Sequence, residues 1–412
     1  MTKLSCRFCH AELTHTFCDL GMSPISNAFL HPEQIESMEC FFPLHVRVCE
    51  KCFLVQLPDL HRPEQHFNHG YAYFSSFSDS WLQHCSDYVA MMMDRFGYNE
   101  ESLVVEVASN DGYLLQYFKQ RGVPVLGVEP AANVAEAAIQ KGIPTRIRFF
   151  GEATARDLVT DGKQADLLLG NNVLAHVPDI NDFVGGMKIT LKPGGVITLE
   201  FPHLLRLMEQ NQFDTIYHEH YSYLSLMAVR TIFEKHGLTL FDVEELWTHG
   251  GSLRIFARHT DDESKPVLPS VAAMLQREAD AGLAHIEGYL GFQERVQGVK
   301  RALLLFLIDA RERGKRTVSY GAPAKGNTLL NYCGVGRDFI DFTVDRSPHK
   351  QGLFLPGTHI PIRAPEAIFE QQPDYLLILP WNLKDEVMEQ MKGIREWGGK
   401  FVVPIPTVTI LD

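Results

Sequence analysis

The chain has 412 residues, 45% of them hydrophobic and 22% charged, which at ~100–200 residues per domain suits two to four globular domains. Its formal net charge of −13 repels phosphate backbones and anionic headgroups, which sets nucleic acid and membrane surfaces aside as partners. No basic stretch followed by an apolar one opens the chain, and the longest apolar runs, such as 302–308, fall far short of a membrane span. A cytoplasmic enzyme is expected, and an anionic small ligand would need a local cluster of donors.

Residues 1–66 are rich in Cys, His, Pro and Phe but poor in periodic apolar segments, so this stretch needs a staple. Cys6-Arg7-Phe8-Cys9 and Cys49-Glu50-Lys51-Cys52 supply one. Each C-x-x-C turn sets two thiolates on one side of a cation, and two turns close a tetrahedral site that suits structural Zn2+. A redox dithiol is the alternative for one pair, but two pairs disfavour it. His10 adjoins the first pair and is expected to face solvent. Cys18, Cys40, Cys85 and Cys333 read as ordinary small residues.

From about residue 80 the pattern alternates. A helix is predicted over 80–96, then a strand over 103–107, a helix over 112–121, a strand over 125–129 and a helix over 131–141. A strand over 166–169, a helix over 180–191 and strands over 195–200 and 252–257 follow. Apolar strands alternating with helices predict a parallel sheet covered on both faces, an α/β doubly wound fold. The polar run 260–266 reads as a linker. Beyond it come a long helical stretch over 271–313 and a second α/β pattern, with strands over 317–320, 339–344, 375–379 and 401–403. The expected units are 1–66, 67–265 and 266–412.

The first strand carries Glu106 and turns through Ser109-Asn110-Asp111-Gly112 into a helix, and the next strand ends in Glu129, about 20 residues on. That spacing is nucleoside-binding logic, with an acid at the second strand tip holding ribose hydroxyls. A pyrophosphate would require more glycine than this loop offers. S-adenosylmethionine has no phosphate and carries a positive sulfonium, so an acidic rim of Glu106, Asp111 and Glu129 fits it better than NAD. Candidate donor-binding residues are Glu106, Ser109, Asn110, Asp111, Gly112, Glu129 and Pro130, with Asn171 and Asn172 at the fourth strand. That strand's Asn171-Asn172-Val173-Leu174-Ala175-His176 and the later Leu191-Lys192-Pro193-Gly194-Gly195 resemble class I methyltransferases; another doubly wound domain with a Gly turn is the alternative.

After the fifth strand, Tyr217-His218-Glu219-His220 concentrates titratable groups where doubly wound sheets place chemistry. His-Glu-His spacing cannot put both imidazoles on one helical face, which disfavours a metal site. A buried, partnered core histidine is one alternative, and acid–base catalysis the other. Taken in order, the double C-x-x-C, Tyr71-Ala72-Tyr73-Phe74-Ser75-Ser76, the Ser-Asn-Asp-Gly loop, Tyr217-His218-Glu219-His220 and Ser319-Tyr320-Gly321-Ala322-Pro323-Ala324-Lys325-Gly326-Asn327 resemble the deoxysugar C-methyltransferases over nearly the whole chain. The resemblance implies a class I, Rossmann-like donor domain between a zinc domain and a second Rossmann-like α/β domain. It also implies methyl transfer to a nucleotide-linked 4-keto-6-deoxysugar, with thymidine diphosphate as carrier and C3 as acceptor. By motif position His220 would be the base, with Glu219 and Tyr217 beside the sugar. His176 and Tyr71 would hydrogen-bond the C4 oxygen, and Tyr73 and Ser76 would contact substrate. S-adenosylhomocysteine would be the second product.

The G-x-x-x-x-G spacing of Gly321 to Gly326 suggests a P-loop, but Asn327 stands where Lys is required. Backbone N–H groups at a helix start, with Lys325 and Thr328, still make an anion cradle. The resemblance assigns Tyr320, Gly321, Lys325, Asn327 and Thr328 to the nucleotide part of the substrate. Asp345 is a candidate ribose contact or a surface residue. Two rival readings stay open: O- or N-methylation of a sugar or small metabolite, and a non-catalytic zinc-bearing protein that binds S-adenosylmethionine or a sugar nucleotide.

Overall fold

The computed structural model describes residues 4–58 and 75–412. Tyr71, Tyr73 and the division expected at 66/67 lie outside the described residues.

The cysteine-rich stretch builds a small antiparallel sheet, His15–Pro24, Phe41–Val48 and Val55–Gln56 in order. Its fourth strand, Ser222–Tyr223, comes from far along the chain, immediately after the Tyr217–His220 segment. None of these strands is legible as a periodic run, because loops and knuckles interrupt them.

The central sheet has seven strands in the order Leu238–Leu246, Ser252–His259, Leu191–Pro202, Ala165–Asn171, Val104–Val107, Val125–Val128, Thr145–Arg146. Neighbours are parallel from Leu191–Pro202 to the Thr145–Arg146 edge. Ser252–His259 runs antiparallel to both its neighbours. Val104–Val107 is buried at every position, as a strand covered on both faces must be. The strand order reverses between Val104–Val107 and Ala165–Asn171, which opens a crevice at their carboxyl ends. Helix Asp79–Phe96 starts where the Ser78 side chain accepts from Trp81 N and stops at Gly97 in the left-handed region. Helix Ile180–Thr190 starts where Asp179 accepts from Asn181 N and Asp182 N. Strand Leu238–Leu246 was not predicted; an edge strand with Glu244 and Glu245 near its end reads as polar.

The third sheet runs Ile362–Arg363, Ile340–Val344, Thr317–Tyr320, Tyr375–Ile378, Lys400–Val403, Thr409–Leu411. All pairs are parallel except the last. Helix Phe292–Glu312 buries Phe292, Val296, Val299, Leu303, Leu307 and Ala310, a stripe at helical period. That stripe joins the first and third sheets into one core, with Phe17 stacked on Phe292 at 4.8 Å between ring centroids.

The polar run 260–266 is not a free linker. Lys265 Nζ donates to the Gly194 carbonyl at 2.7 Å, and Arg258 Nε takes the Lys265 carbonyl at 2.7 Å. Helix Pro269–Asp280 then packs with the central sheet, burying Val271 and Met274. The division expected at 265/266 thus falls ahead of a helix that belongs with that sheet by its contacts. The helix also delivers Glu278, fully buried, whose carboxylate accepts from Leu226 N (2.6 Å), Met227 N (2.8 Å) and His203 Nε2 (2.7 Å). Removing one partner of such a buried set is costly because the others are left unpaired in a dry interior. Glu278→Ala is therefore expected to lower stability by about 3–5 kcal/mol in urea unfolding, and a loss under about 1 kcal/mol would contradict this role.

Candidate active site

The two C-x-x-C knuckles fold alike. Cys6 N donates to Ala11 O and His10 N to Cys6 O; Cys49 N donates to Leu54 O and Phe53 N to Cys49 O. The residue after each second cysteine takes a positive φ, 61° at His10 and 57° at Phe53. His10 is exposed, as expected, and lies outside the sulfur cluster. The four Sγ atoms of Cys6, Cys9, Cys49 and Cys52 lie within 4.8 Å of one another, with Cys6···Cys52 at 3.6 Å and Cys9···Cys49 at 3.5 Å. A tetrahedron with Zn–S bonds of ~2.3 Å has edges of about 3.8 Å, so the thiolates fit Zn2+. Gln56 Nε2 donates to Cys6 Sγ at 3.2 Å, the kind of outer contact that orients a ligand.

The same strand ties the knuckles to the Tyr217–His220 segment. Val55 pairs with Tyr223 and Gln56 with Ser222, and Leu57 N donates to Tyr221 O at 3.0 Å. Arg7, inside the first knuckle, donates to the carbonyls of Leu57 and Pro178.

At the crevice, the loop after Val104–Val107 needs unusual backbone, with φ of 58° at Ala108, 48° at Asn110 and 76° at Gly112. Glu129 Oε2 accepts from Asn110 N (3.0 Å) and Oε1 from Ala131 N (2.8 Å). Burial pushes its carboxyl up to about 7, against the pull of those two N–H groups. Pro130 follows at the same tip, part-buried. Burial also drives Glu106 well above the ordinary carboxylate range, with Tyr113 opposing and the charges of Glu129 and Asp111 adding. Both Glu106 oxygens, Asp111 Oδ1, Asn171 Nδ2 and Asn172 Oδ1 are buried with no hydrogen-bond partner. Such groups at one strand-tip crevice fit a polar ligand carrying hydroxyl and amino donors. Ser109 Oγ, packed so close to Gly127 that an added Cβ would meet it at 2.4 Å, is likewise buried without a partner. Asp111 Oδ2 takes Ser76 Oγ and Lys141 Nζ, so Ser76 helps hold the donor loop and Oδ1 stays open.

In the titratable segment, His220 Nδ1 lies 2.9 Å from the Thr215 carbonyl and Nε2 2.7 Å from the Tyr217 hydroxyl. A carbonyl only accepts, so Nδ1 carries the hydrogen, and Nε2 accepts from Tyr217. Burial, then the facing His176, lower the His220 pKa well below the usual histidine range; His249 and Lys325 add, and the Thr215 carbonyl opposes. The His176 ring stands edge-on to His220, with centroids 4.7 Å apart. Glu219 is buried and Oε1 accepts from Asn27 Nδ2 at 2.7 Å; burial raises its pKa, with Asn27 opposing.

In the loop after Thr317–Tyr320, Gly321 N donates to Val344 O and Ala322 N to Asp345 Oδ2 at 2.8 Å. Helix Ala324–Cys333 then starts at Pro323 with no side-chain cap, so the first-turn N–H groups are the ones an anion would meet. Asp345 Oδ1 also accepts from Ser347 N, so both of its oxygens brace the loop. Tyr320 donates to Gln390 Oε1. Asn327 Nδ2 donates to Ser26 O, and Thr328 Oγ1 to Ile216 O at 3.0 Å. These residues latch three segments together. Lys325 alone of the set faces the cleft, its charge felt by His220 and His249.

Three family models match in chain order: a zinc binding domain over residues 6–67, a methyltransferase domain over 82–243 and a C-methyltransferase C-terminal domain over 247–406. C-methyltransferase NovU of Streptomyces niveus is 37% identical over 407 residues, 99% of this chain and 96% of that one. The chain belongs to the C-methyltransferase family. It is an S-adenosylmethionine-dependent enzyme with a zinc-binding domain. A ubiquinone biosynthesis O-methyltransferase of Rhodopseudomonas palustris (strain BisA53) is 24% identical over 112 residues, 26% of this chain and 44% of that one. Among solved structures, PH0226 of Pyrococcus horikoshii OT3 covers 45% of this chain and 94% of its own at 14% identity and a TM-score of 0.38, too low to bear on activity. Among the described residues no helix is long and apolar enough to cross a membrane.

Several residues of this C-methyltransferase's cleft carry no sequence signal. Asn27 sits in a loop of the zinc-bearing unit, and His249 holds φ of 55° while its Nε2 accepts from Asn172 Nδ2 at 3.0 Å. Glu200, at the fifth strand's end, accepts from His84 Nε2 (2.9 Å) and Arg254 Nε (2.8 Å). Burial pushes its carboxyl up, but those two partners overcome it and leave it low. If the thiolate cluster positions the Tyr217–His220 segment through the Gln56–Ser222 pairing, Cys52→Ser should lose its zinc by metal analysis and slow methyl transfer about 10²-fold. Donor affinity by calorimetry should hardly change, since the crevice lies on the central sheet. Full activity in a metal-free variant would contradict the coupling.

Proposed function

We propose that this C-methyltransferase methylates the carbon beside the ketone of a nucleotide-linked 4-keto-6-deoxysugar, with thymidine diphosphate as carrier and C3 as acceptor. The reading rests above all on the Thr215–His220–Tyr217 chain of hydrogen bonds. It holds a neutral imidazole with its basic lone pair on Nε2, the form a general base needs. A ketone makes the neighbouring C–H acidic enough for such a base.

The proton from that carbon passes to His220 Nε2, and the C–H electron pair becomes the enolate double bond as the carbonyl pair moves onto oxygen. Tyr217, displaced from Nε2, gives its hydrogen bond to a substrate oxygen, and Glu219, anchored by Asn27, holds a sugar hydroxyl. His176, edge-on to His220, faces the same space and donates to the developing oxyanion. Preorganised donors at such an oxygen are commonly worth ~3–4 kcal/mol. S-adenosylmethionine supplies a methyl on positive sulfur and leaves as S-adenosylhomocysteine. Glu129 and Asn171 would hold its ribose and polar ends, and Glu106 would lie toward its positive charge, which favours the ionised carboxylate.

The deciding experiment incubates the protein with a thymidine-diphosphate-linked 4-keto-6-deoxysugar in deuterated water without methyl donor, read by mass spectrometry. Deuterium uptake at the acceptor carbon, lost in His220→Ala, is expected; methyl transfer to oxygen without exchange would replace this reading with O-methylation. Because His220's pKa lies below 6.5, the base is unprotonated at neutral pH and is lost only as pH falls through that lowered value. The acid limb of kcat/KM should accordingly lie below pH 6.5. A limb at or above pH 7 would assign the base elsewhere.

A further inference from the structure

Lys325 occupies the first turn of helix Ala324–Cys333 in the third unit. One turn on, Thr328 donates to the carbonyl of Ile216, the residue before Tyr217, so this face of the helix docks on the catalytic segment. The Lys325 ammonium donates to Asn382 Oδ1 at 2.8 Å and rides 4.8 Å from the centre of the Trp381 ring. Trp381 is the wedge between the two units. Its indole N–H donates to Asp214 Oδ2 at 2.6 Å, and its ring lies so close to Gly250 that a Cβ there would come within 2.5 Å of it. Gly250 follows His249, so the indole spans from the start of the catalytic segment to the loop facing Asn172.

The charge of this ammonium reaches both His220 and His249. Among the described residues no carboxylate comes within 4 Å of it, and Asn382 Oδ1 is the one hydrogen-bond acceptor for its three N–H donors. Asp214 lies on the far edge of the indole and keeps one oxygen buried without a hydrogen-bond partner. Burial pushes Asp214 up to about 6 and Lys325 down, each opposed by the other's charge. The lysine charge also lowers both histidines. A part-buried cation with donors to spare, its field felt by two neutral imidazoles, is a site for an anionic oxygen.

We propose that Lys325 Nζ hydrogen-bonds the ketone oxygen of the substrate and supplies the positive charge that balances the enolate. This rests on the enolate chemistry above and changes the part expected of Lys325, from the nucleotide's diphosphate to the reacting carbonyl. As the acceptor carbon's proton leaves to His220, the carbonyl π pair settles on the oxygen facing the ammonium. Lys325 stays protonated throughout, so no proton is exchanged with it. Trp381 and Asn382 hold the ammonium in place and are positioning residues.

The test compares Lys325→Gln and Lys325→Arg with the unaltered protein, using the thymidine-diphosphate-linked keto sugar with and without S-adenosylmethionine. Lys325→Gln should slow both kcat and donor-free deuterium exchange by about 10²–10³-fold, the loss seen when one oxyanion donor is removed, with KM changed less than about threefold. Lys325→Arg should recover part of the rate because it keeps the charge. The acid limb of kcat/KM should also move to higher pH in Lys325→Gln, since a cation that depresses His220 is gone; a lysine that only packs would leave the limb in place. A rise in KM with exchange unchanged would return Lys325 to the diphosphate and overturn the proposal. Should Lys325→Gln lose donor affinity and thus its fold, the limb and rate of Lys325→Arg and of Asn382→Ala decide: Asn382→Ala must slow exchange, and unaltered exchange overturns the proposal. If the unaltered protein shows no exchange with any keto sugar, the enolate reading itself fails, an outcome distinct from exchange that is indifferent to residue 325.

Discussion

Two residue pairs, Val55 with Tyr223 and Gln56 with Ser222, join the thiolate knuckles to the strand that directly follows His220. Each hydrogen bond is worth only ~1 kcal/mol net, but the pairing removes the freedom of a segment that would otherwise be a surface loop. The segment is clamped again from the opposite side, where Thr328 of the third unit takes the Ile216 carbonyl. Within it, the Thr215 carbonyl orients His220. A general base must be held to within a fraction of an ångström, and a loop on one domain cannot do that alone. Three units converge on His220, and if it is the base proposed above, they supply the walls it needs.

The zinc-bearing unit is too small to supply such a wall by burial. Its knuckles fold around sulfur, and its strands gain an apolar core only by packing on helix Phe292–Glu312, through Phe17 on Phe292. Its geometry therefore passes in two directions, into the catalytic segment by backbone pairing and into the third unit by side-chain packing. Ser26 and Asn27 lie at the crossing, one accepting from Asn327 and the other donating to Glu219. Disturbing this unit reaches the acceptor side of the cleft before it reaches the donor crevice.

Much of the architecture was legible because buried parallel strands write themselves as apolar runs. Val104–Val107, Ala165–Asn171 and Tyr375–Ile378 sit where the pattern set them, and two C-x-x-C pairs have few other physical meanings. What stayed hidden has a common cause: contacts between segments far apart leave no local period. Asn27 is a loop asparagine until Glu219 is placed beside it, and the two amides that Asp345 braces lie in loops no period reveals. The run 260–266 read as a linker because polar residues commonly are solvated, whereas Lys265 and Arg258 spend their donors on backbone carbonyls. In the run from Gly321 to Thr328, the amides of Gly321 and Ala322 are spent on Val344 and Asp345, which no local pattern shows.

The charges in the cleft follow a rule that unites these parts. On the donor side acids are gathered: Glu106 and Glu129, whose carboxyls burial pushes up, and Glu200, kept low by His84 and Arg254. On the acceptor side the histidines are neutral and the positive charge belongs to Lys325, brought in by another unit. Under the chemistry proposed above, a sulfonium bound in the crevice would draw Glu106 and Glu129 toward their ionised forms, while an enolate would meet the Lys325 charge. Neither field would suit the other ligand, since the acids would raise the energy of an enolate and the lysine would repel the sulfonium. Building the two halves on separate units lets each keep its own sign while their tips meet, and the clamped segment around His220 is the seam along which they do.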